Sequence, residues 1–234
     1  MTETTGILNG KYIDVNAVLA QKLLQQENAK KLLDTLGVAE SDFTVKQGYA
    51  FDTKDQRTGK VLGVEVYEFL APEKAQLHIK YLTNGEEGGY AFYADKVDNT
   101  IIETYEIHRG EVSKIGDRLL EGEFGVLFPT NLVDDKNFEI LSSSVEVEEK
   151  GIEFCLAGYN HCGPGCGDGM SRGGTPRNRI DSCCRTHDRC WSNFGAWDPC
   201  CDKDLLRCVV QNQSVDPVAA TAIHATFHYN SLKC

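Results

Sequence analysis

Apolar residues early in the chain recur at the spacing of a helix with one buried face. They are Val15, Val18, Leu19, Leu23, Leu32, Leu33 and Leu36. Asp14 or Asn16 is suited to cap the first turn, and Gly37 stands where a glycine often closes a helix. The pattern therefore predicts one amphipathic helix from Asp14 to Leu36.

After this helix the pattern changes to short runs rich in β-branched and aromatic residues, separated by turn-forming segments. The predicted strands are Phe43–Phe51, Val61–Leu70, Leu77–Leu82, Tyr90–Tyr93 and Ile101–His108, with weaker candidates at Gly125–Phe128 and Phe138–Leu141. Asn84-Gly85 is a strong hairpin signal. One helix followed by an antiparallel meander predicts an α+β layer pair. His78 and His108 stand alone in these strands, so we expect each to be structural or exposed.

The last third of the chain returns to helical spacing after a glycine-rich stretch. Residues 159–179 are rich in glycine and are predicted to form a loop. Asp181–Trp191 and Asp202–Gln211 are predicted helices, and a third opens at Asp216-Pro217 because proline suits the first helical position. The apolar face of the third helix would hold Ala220, Ile223 and Phe227.

All ten cysteines lie between Cys155 and Cys234. So many cysteines in a short segment indicate a small scaffold held by disulfides, whereas the cysteine-free part relies on a hydrophobic core. We therefore predict an acidic α+β domain over residues 1–145 and a disulfide-rich all-α domain over residues 152–234. Residues 142–150, serine-rich and then acidic, are the predicted linker. They form either an edge strand that runs into a loop or an exposed joint that is cleaved near Lys150-Gly151.

The net charge of −11 lies within residues 1–150, and residues 151–234 are neutral. The chain has no basic stripe, which argues against a nucleic-acid partner. The cysteines indicate an oxidising compartment, so we expect a secreted or otherwise extracytoplasmic protein. Met1–Gly6 shows no signal-peptide pattern, which leaves the export route open. No stretch approaches the roughly 18 apolar residues of a transmembrane helix.

The candidate chemistry is concentrated in the run from Cys183 to Cys190, which places a histidine beside an aspartate among cysteines. In a helix, Cys183, His187 and Cys190 fall on one face, and Cys184 and Asp188 on the neighbouring face. Disulfides would fix the rotation of such a helix and the directions of His187 and Asp188. A rigid base beside a carboxylate is typical of a hydrolytic site.

This run resembles the active-site signature of secreted phospholipases A2. His161-Cys162-Gly163-Pro164-Gly165 resembles the calcium loop of that family, and Gly173–Pro176 followed by Asp181 also fits it. Cys201-Asp202, with Cys208 seven residues after Cys201, resembles the second active-site helix. The resemblance covers roughly residues 155–210 and none of the first 150.

The resemblance implies calcium-dependent hydrolysis of the sn-2 ester of glycerophospholipids at a membrane or micelle surface. His187 would activate a water molecule, Asp202 would orient the His187 ring, and the Gly163 amide would stabilise the oxyanion. The implied Ca²⁺ ligands are the Asp188 carboxylate and the carbonyls of His161, Gly163 and Gly165. The implied disulfides are Cys162–Cys184, Cys183–Cys208 and Cys190–Cys201, which leaves Cys155, Cys166, Cys200 and Cys234 to pair among themselves.

The chain departs from the family pattern at several positions. His161 replaces the usual aromatic residue, which changes little because a backbone carbonyl is the ligand there. Trp191 replaces a common tyrosine, and because indole only donates hydrogen bonds, we expect the support of Asp202 to differ or to come from elsewhere. The segment before His187 is longer than usual, and the short segment after it resembles the compact microbial-type members. Asp168 is either an extra calcium ligand or, as we expect, a solvated loop residue.

Several alternatives stay open at this stage. The C-terminal part could be a catalytically silent module that binds lipid or protein, although His187 and Asp188 together favour an enzyme. A zinc protein is a weaker alternative, because paired Cys-x-x-Cys knuckles are missing. Residues 1–145 are a candidate propeptide, inhibitory, immunity-like or targeting domain that could regulate the enzyme intramolecularly. Four apolar residues of the C-terminal part either fill the core between the helices or form a rim that rests on a lipid surface: Trp191, Phe194, Trp197 and Leu232.

Overall fold

In the computed structural model, one seven-stranded antiparallel sheet follows the chain in strict order from β1 to β7. The strands are β1 (Asn9–Tyr12), β2 (Thr44–Lys54), β3 (Val61–Ala71), β4 (Ala75–Thr83), β5 (Gly88–Asp98), β6 (Ile101–His108) and β7 (Glu111–Leu119). The structure describes residues 7–55, 60–84, 86–121, 124–125, 128–141, 155–156, 158–163, 165–168 and 173–234. The predicted linker and its cleavage point lie outside these residues, as does Met1–Gly6.

Two helices lie between β1 and β2, α1 (Ala17–Leu24) and α2 (Glu27–Leu36). The prediction of one continuous helix was wrong, because Gln26 adopts an extended backbone with ψ 142°. The residues from Gln25 to Asn28 are all polar, so the turn contributes no apolar side chain to the core. The side chain of Asn16 caps α1, and Gly37 closes α2 with a φ of 67°.

The five stronger strand predictions are confirmed, most of them with longer bounds, while the edges of the sheet differ from the prediction. β1 was missed because it has only four residues, and β7 because its exposed, largely polar surface carries little apolar alternation. The described residues of Gly125–Phe128 and Phe138–Leu141 belong to no strand. Phe128 and Phe138 are nevertheless buried, so these loops contribute core side chains, which explains their apolar pattern.

The sheet has a helical layer on each face. On one face Leu32 and Leu36 of α2 pack against Leu77 and Ile79. The other face packs against the C-terminal helices α4 (Pro199–Gln211) and α5 (Pro217–Ser231), and α3 (Arg179–Phe194) packs against these two helices. The α+β prediction is confirmed, as are the three C-terminal helices. No helix among the described residues has the length and apolarity needed to cross a membrane.

The contact between the sheet and the C-terminal helices is partly polar, and we call it the seam. Its buried polar residues are Glu68, His78, Lys80, Tyr93, Glu106, Arg207, Gln213, His224 and His228. His78 and Lys80 alternate with Leu77 and Ile79 on β4, so their side chains reach the opposite face of the sheet. His78, which was expected to be structural or exposed, is buried, and its Nε2 lies 3.2 Å from Nε2 of Gln213.

The seam joins helices α4 and α5 to the sheet at several points. The Tyr93 hydroxyl forms a short hydrogen bond with Nε2 of His224. Nη2 of Arg207 lies 2.6 Å from Oε1 of Glu106. The hydroxyl of Tyr229 donates to the carbonyl of Leu82 at 2.9 Å. The sheet therefore holds α5 through both apolar and hydrogen-bonded contacts.

The histidines of the seam make the stability of the protein depend on pH. Burial, with His108 and Lys80 nearby, lowers the pKa of His228 to about 4. Burial also holds the pKa of His224 well below its usual value. Because the unfolded chain binds these protons more readily, this stability is present above about pH 6.5 and is lost as the pH falls towards 4.

We expect His228→Asn to reduce this pH dependence. The wild type should lose on the order of 3 kcal/mol of unfolding free energy through His228 between pH 7 and pH 4. Denaturant unfolding at a series of pH values, with the disulfides intact, measures the difference between the two proteins. The other titrating groups are common to both, so equal pH slopes would contradict a contribution from His228.

Candidate active site

Disulfides tie the glycine-rich loop and the helices of the site together. Cys162–Cys184 joins the loop to α3, and Cys183–Cys208 and Cys190–Cys201 join α3 to α4. These are the three pairs that the resemblance implies. The remaining cysteines pair as Cys155–Cys166 and Cys200–Cys234, so no cysteine is free.

His187 of α3 and Asp202 of α4 meet at the centre of the site. Nε2 of His187 lies 2.8 Å from Oδ1 of Asp202. Both side chains are buried, and Asp202 is fully inaccessible. Asp202 lies in the first turn of α4, whose N-cap is Asp198. The pair therefore has the geometry of a histidine oriented by a buried carboxylate.

Two further donors hold the Asp202 carboxylate. The indole Nε1 of Trp191 donates to Oδ1 at 3.1 Å, and Nδ2 of Asn230 on α5 donates to Oδ2 at 2.7 Å. The support of Asp202 was expected to differ from the family pattern or to come from elsewhere, and both are observed. Trp191 donates its indole N–H to Asp202, and the second donor, Asn230, lies on another helix. Sequence reasoning missed Asn230. Its only signal was an amide on a helix whose other positions are mostly small or apolar.

The glycine-rich loop is shaped by left-handed backbone and by one buried aspartate. Gly163, Gly165 and Gly167 have φ values of 125°, 77° and 128°. Residues other than glycine rarely adopt such a backbone conformation. Oδ1 of Asp181, in the first turn of α3, accepts from the backbone amide of His161 at 2.8 Å. Nε2 of His161 lies 3.0 Å from the carbonyl of Gly174. The loop is thus attached to α3 by hydrogen bonds as well as by a disulfide.

Asp188 is the candidate metal ligand whose surroundings best fit a cation. Its Oδ2 atom is buried and has no hydrogen-bond partner in the described part of the chain. Burial raises the pKa of Asp188 to about 7, while the nearby His161 acts in the opposite direction. A Cβ atom added at Gly167 would lie 2.7 Å from this oxygen. A hard cation such as Ca²⁺ would satisfy the unpaired carboxylate oxygen.

A cleft of about 160 Å³ brings these groups together, and we call it the His187 cleft. His161, Gly163, His187 and Asp188 line its polar side. Its apolar lining consists of Trp191, Trp197, Leu205, Ile223 and Phe227, together with Cys184. The cleft therefore offers a charged reaction centre within an apolar wall. Gly165, the remaining predicted ligand, belongs to the loop but does not line the cleft.

The predicted apolar rim divides into core and surface residues. Trp191 packs on the His187 ring with centroids 4.2 Å apart and is only partly exposed. Phe194 and Trp197 are 74% and 44% exposed, whereas Leu232 is half-buried. Two of the four residues are thus exposed apolar residues, and one of these, Trp197, lines the cleft. Asp168 is an exposed loop residue whose Oδ1 accepts from the Gly174 amide at 3.1 Å.

Comparisons with known proteins place this region among phospholipase A2-like sequences. Residues 152–198 match a family model described as a phospholipase A2-like domain. The acidic phospholipase A2 homolog taipoxin gamma chain of Oxyuranus scutellatus scutellatus is 39% identical over 64 residues, or 27% of this chain. Acidic phospholipase A2 S17-58 of Austrelaps superbus is 38% identical over 64 residues, again 27% of this chain.

These matches cover only part of each protein. The chain spans 40% of the length of both relatives. No solved structure matches. The C-terminal region is therefore phospholipase A2-like, and the family match does not extend to residues 1–151.

We expect Asn230→Leu to destabilise the protein by about 1.5–3 kcal/mol, the usual value of a hydrogen bond to a charged group. The substitution keeps a similar volume but leaves Oδ2 of the buried Asp202 without its donor. Chemical denaturation measures the change. Asn193→Leu on the exposed surface of α3 is the control and should change stability by less than about 0.5 kcal/mol. Equal effects of the two substitutions would contradict the role of Asn230.

We expect Gly167→Ala to weaken Ca²⁺ binding, because the new methyl group would press on Oδ2 of Asp188. Gly195→Ala is the matched control, since Gly195 also has a positive φ, of 106°, but has no atom within 4 Å of the added carbon. Calorimetric titration with Ca²⁺ compares the two variants. Unchanged affinity in Gly167→Ala would show that this oxygen does not contact the ion.

Proposed function

We propose that the His187 cleft catalyses the calcium-dependent hydrolysis of the sn-2 ester of glycerophospholipids. The observation that carries this proposal is the 2.8 Å contact of His187 with Asp202 beside the unpaired carboxylate oxygen of Asp188. The base and the candidate cation ligand therefore line one cleft, and the orienting carboxylate is buried beside the base. The apolar residues opposite them suit an acyl chain.

His187 is the general base of the proposed reaction. Its Nε2 is engaged by Asp202, so Nδ1 is the nitrogen that accepts a proton from water. The water oxygen then attacks the acyl carbon of the ester, and the imidazolium returns the proton to the leaving alkoxide. Asp202 orients the ring and stabilises its charged form. General-base assistance of this kind contributes about 10²–10⁴ in rate.

The metal of the proposed reaction is Ca²⁺, held by the Asp188 carboxylate and the carbonyls of His161, Gly163 and Gly165. When bound, the ion would polarise the ester carbonyl and offset the charge of the oxyanion. The Gly163 amide is the proposed second stabiliser of that oxyanion. The buried oxygen of Asp188 supports this assignment, because such a group is costly unless it gains a partner.

The proposed substrate surface is a phospholipid membrane or micelle. Phe194 and Trp197 are exposed, Trp197 also lines the cleft, and aromatic side chains are favoured at a lipid–water interface. The five disulfides suit a secreted or otherwise extracytoplasmic protein.

Regulation by residues 1–145 would act through α5 rather than by plugging the cleft. Among described residues, those that line the His187 cleft all come from residue 161 onwards. One face of α5 supplies Ile223 and Phe227 to the cleft, and His224 on the adjoining face contacts Tyr93 of the sheet. A change at the seam would therefore reach the cleft by moving this helix. The division into a 1–145 domain and a 152–234 domain belongs to the same proposal.

A catalytically silent lipid- or protein-binding module is the second candidate, because one of the two relatives is named as a homolog of the enzyme. The complete His187–Asp202 pair favours catalysis. A silent module would bind vesicles with calcium but would release no fatty acid.

The decisive measurement is release of fatty acid from vesicles of an sn-2-labelled phospholipid, with calcium and with chelator. We expect turnover only with calcium, and a loss of at least about 10²-fold in His187→Gln, because the general base is removed. His108→Gln controls for the loss of an imidazole outside the cleft. Turnover that resists chelation, or an active His187→Gln, would refute the mechanism. Calcium-dependent vesicle binding without product would establish the silent module.

A further inference from the structure

A second cleft adjoins the His187 cleft and shares Asp188 and Trp191 with it. Its volume is about 340 Å³, roughly twice that of its neighbour. The glycine-rich loop forms one wall, through Cys166, Gly167 and Asp168, and α3 with the loop after it forms the other, through Arg185, Arg189, Ser192 and Ala196. We call it the arginine cleft.

The two arginines are one helical turn apart on α3 and so share one face of the helix. Arg185 is half-buried and forms no ion pair within the described part of the chain. Nη2 of Arg189 lies 3.4 Å from Oδ2 of Asp168, and both side chains are mostly exposed. An exposed pair at that distance contributes little, so the Arg189 guanidinium can exchange this partner for a ligand.

Two arginines and two carboxylates, those of Asp168 and Asp188, line the arginine cleft, and the proposed Ca²⁺ at Asp188 would give it a positive charge that the rest of the molecule lacks. The whole chain carries a net charge of −11. An anionic surface would repel most of such a protein, but it would attract the part that carries Arg185 and Arg189. A guanidinium group can also donate two parallel hydrogen bonds to a phosphate, because its N–H donors lie in one plane, which the lysine ammonium cannot do.

The shared residues connect this charge to the proposed reaction. A phospholipid whose ester lies against His187 has its acyl chain beside the apolar wall and its polar end towards Asp188. Because Asp188 and Trp191 also line the arginine cleft, the phosphate and head group come within reach of the arginines. A choline head group would bring a cation against two guanidiniums, whereas a glycerol head group would leave the lipid with a net negative charge.

We propose that the arginine cleft is a head-group subsite that selects anionic phospholipids over phosphatidylcholine through Arg185 and Arg189. The proposal rests on the proposed phospholipase activity. It assigns to Arg185 and Arg189 a role in specificity and none in the hydrolytic step.

The test is competition between two lipids within one vesicle. Vesicles contain phosphatidylglycerol and phosphatidylcholine with distinct sn-2 labels, and the ratio of the two released fatty acids is measured. Both lipids share the same surface, so attraction of the protein to that surface cancels from the ratio. We expect the wild type to favour phosphatidylglycerol, and added salt to reduce the preference because the arginines are accessible.

Single substitutions assign the preference to the cleft. Arg185→Gln and Arg189→Gln should each lower the ratio about two- to fivefold, the usual value of an accessible charge pair. Arg179→Gln removes the same charge from the same helix, but Arg179 lines a different cleft, beside Asp117 and Arg118. It should leave the ratio unchanged. A wild-type ratio of one, or equal ratios in all three variants and the wild type, would overturn the proposal.

Two further experiments distinguish this proposal from a free-anion site and from a failure of the phospholipase assignment. If inorganic phosphate inhibits hydrolysis of both lipids equally, and the two substitutions relieve that inhibition without any head-group preference, the cleft is a free-anion site and the proposal fails. If no lipid is hydrolysed, the phospholipase assignment fails by itself. The cleft is then tested by binding to phosphatidylglycerol and phosphatidylcholine micelles, where equal affinities, or no change in Arg185→Gln and Arg189→Gln, would overturn it.

Discussion

The candidate site depends on one buried carboxylate, that of Asp202. It accepts hydrogen bonds or ion-pair contacts from His187 and Trp191 on α3 and from Asn230 on α5, while Asp202 itself lies on α4. A fully buried carboxylate is costly unless donors surround it, so the three helices must keep these relative positions. Two disulfides between α3 and α4 add a covalent constraint to the same arrangement.

The third helix of this arrangement is held by a different kind of contact. Helix α5 has no disulfide within Pro217–Ser231. It packs against α4, and Tyr93, Leu82 and the apolar residues of the seam attach it to the sheet, while Cys200–Cys234 joins the segment after it to α4. The adjoining face of α5 completes the cleft with Phe227, whose ring lies 5.1 Å from that of His187. The cysteine-free part of the chain is therefore a structural neighbour of the site, although it contributes no lining residue among those described.

Much of the local structure follows from the sequence, because it depends on residues close together along the chain. The strand cores, the three C-terminal helices and the C-cap at Gly37 were predicted from periodicity and from residue preferences. The break at Gln26 and the edge strands β1 and β7 were not, because short or polar segments gain their structure from neighbours rather than from their own pattern. Phe128 and Phe138 show the reverse error, since loop residues that fill a core look like strand residues.

The sequence by itself determined that His187 and Asp188 lie on adjoining faces of a helix next to a glycine-rich loop, because helical spacing and positive-φ glycines are local properties. Its resemblance to a known family also implied the partner of His187. Only the tertiary structure decided that Asn230 supports Asp202, that Oδ2 of Asp188 has no hydrogen-bond partner among the described residues, and that His78 of the sheet lies at the same seam as His224 and His228 of α5. These facts depend on contacts between residues far apart in the chain, such as Tyr93 and His224, which are 131 positions apart, and on burial, which no short segment specifies. The sequence analysis assigned no role to Arg185 and Arg189, because the cleft beside them is formed by the folded glycine-rich loop.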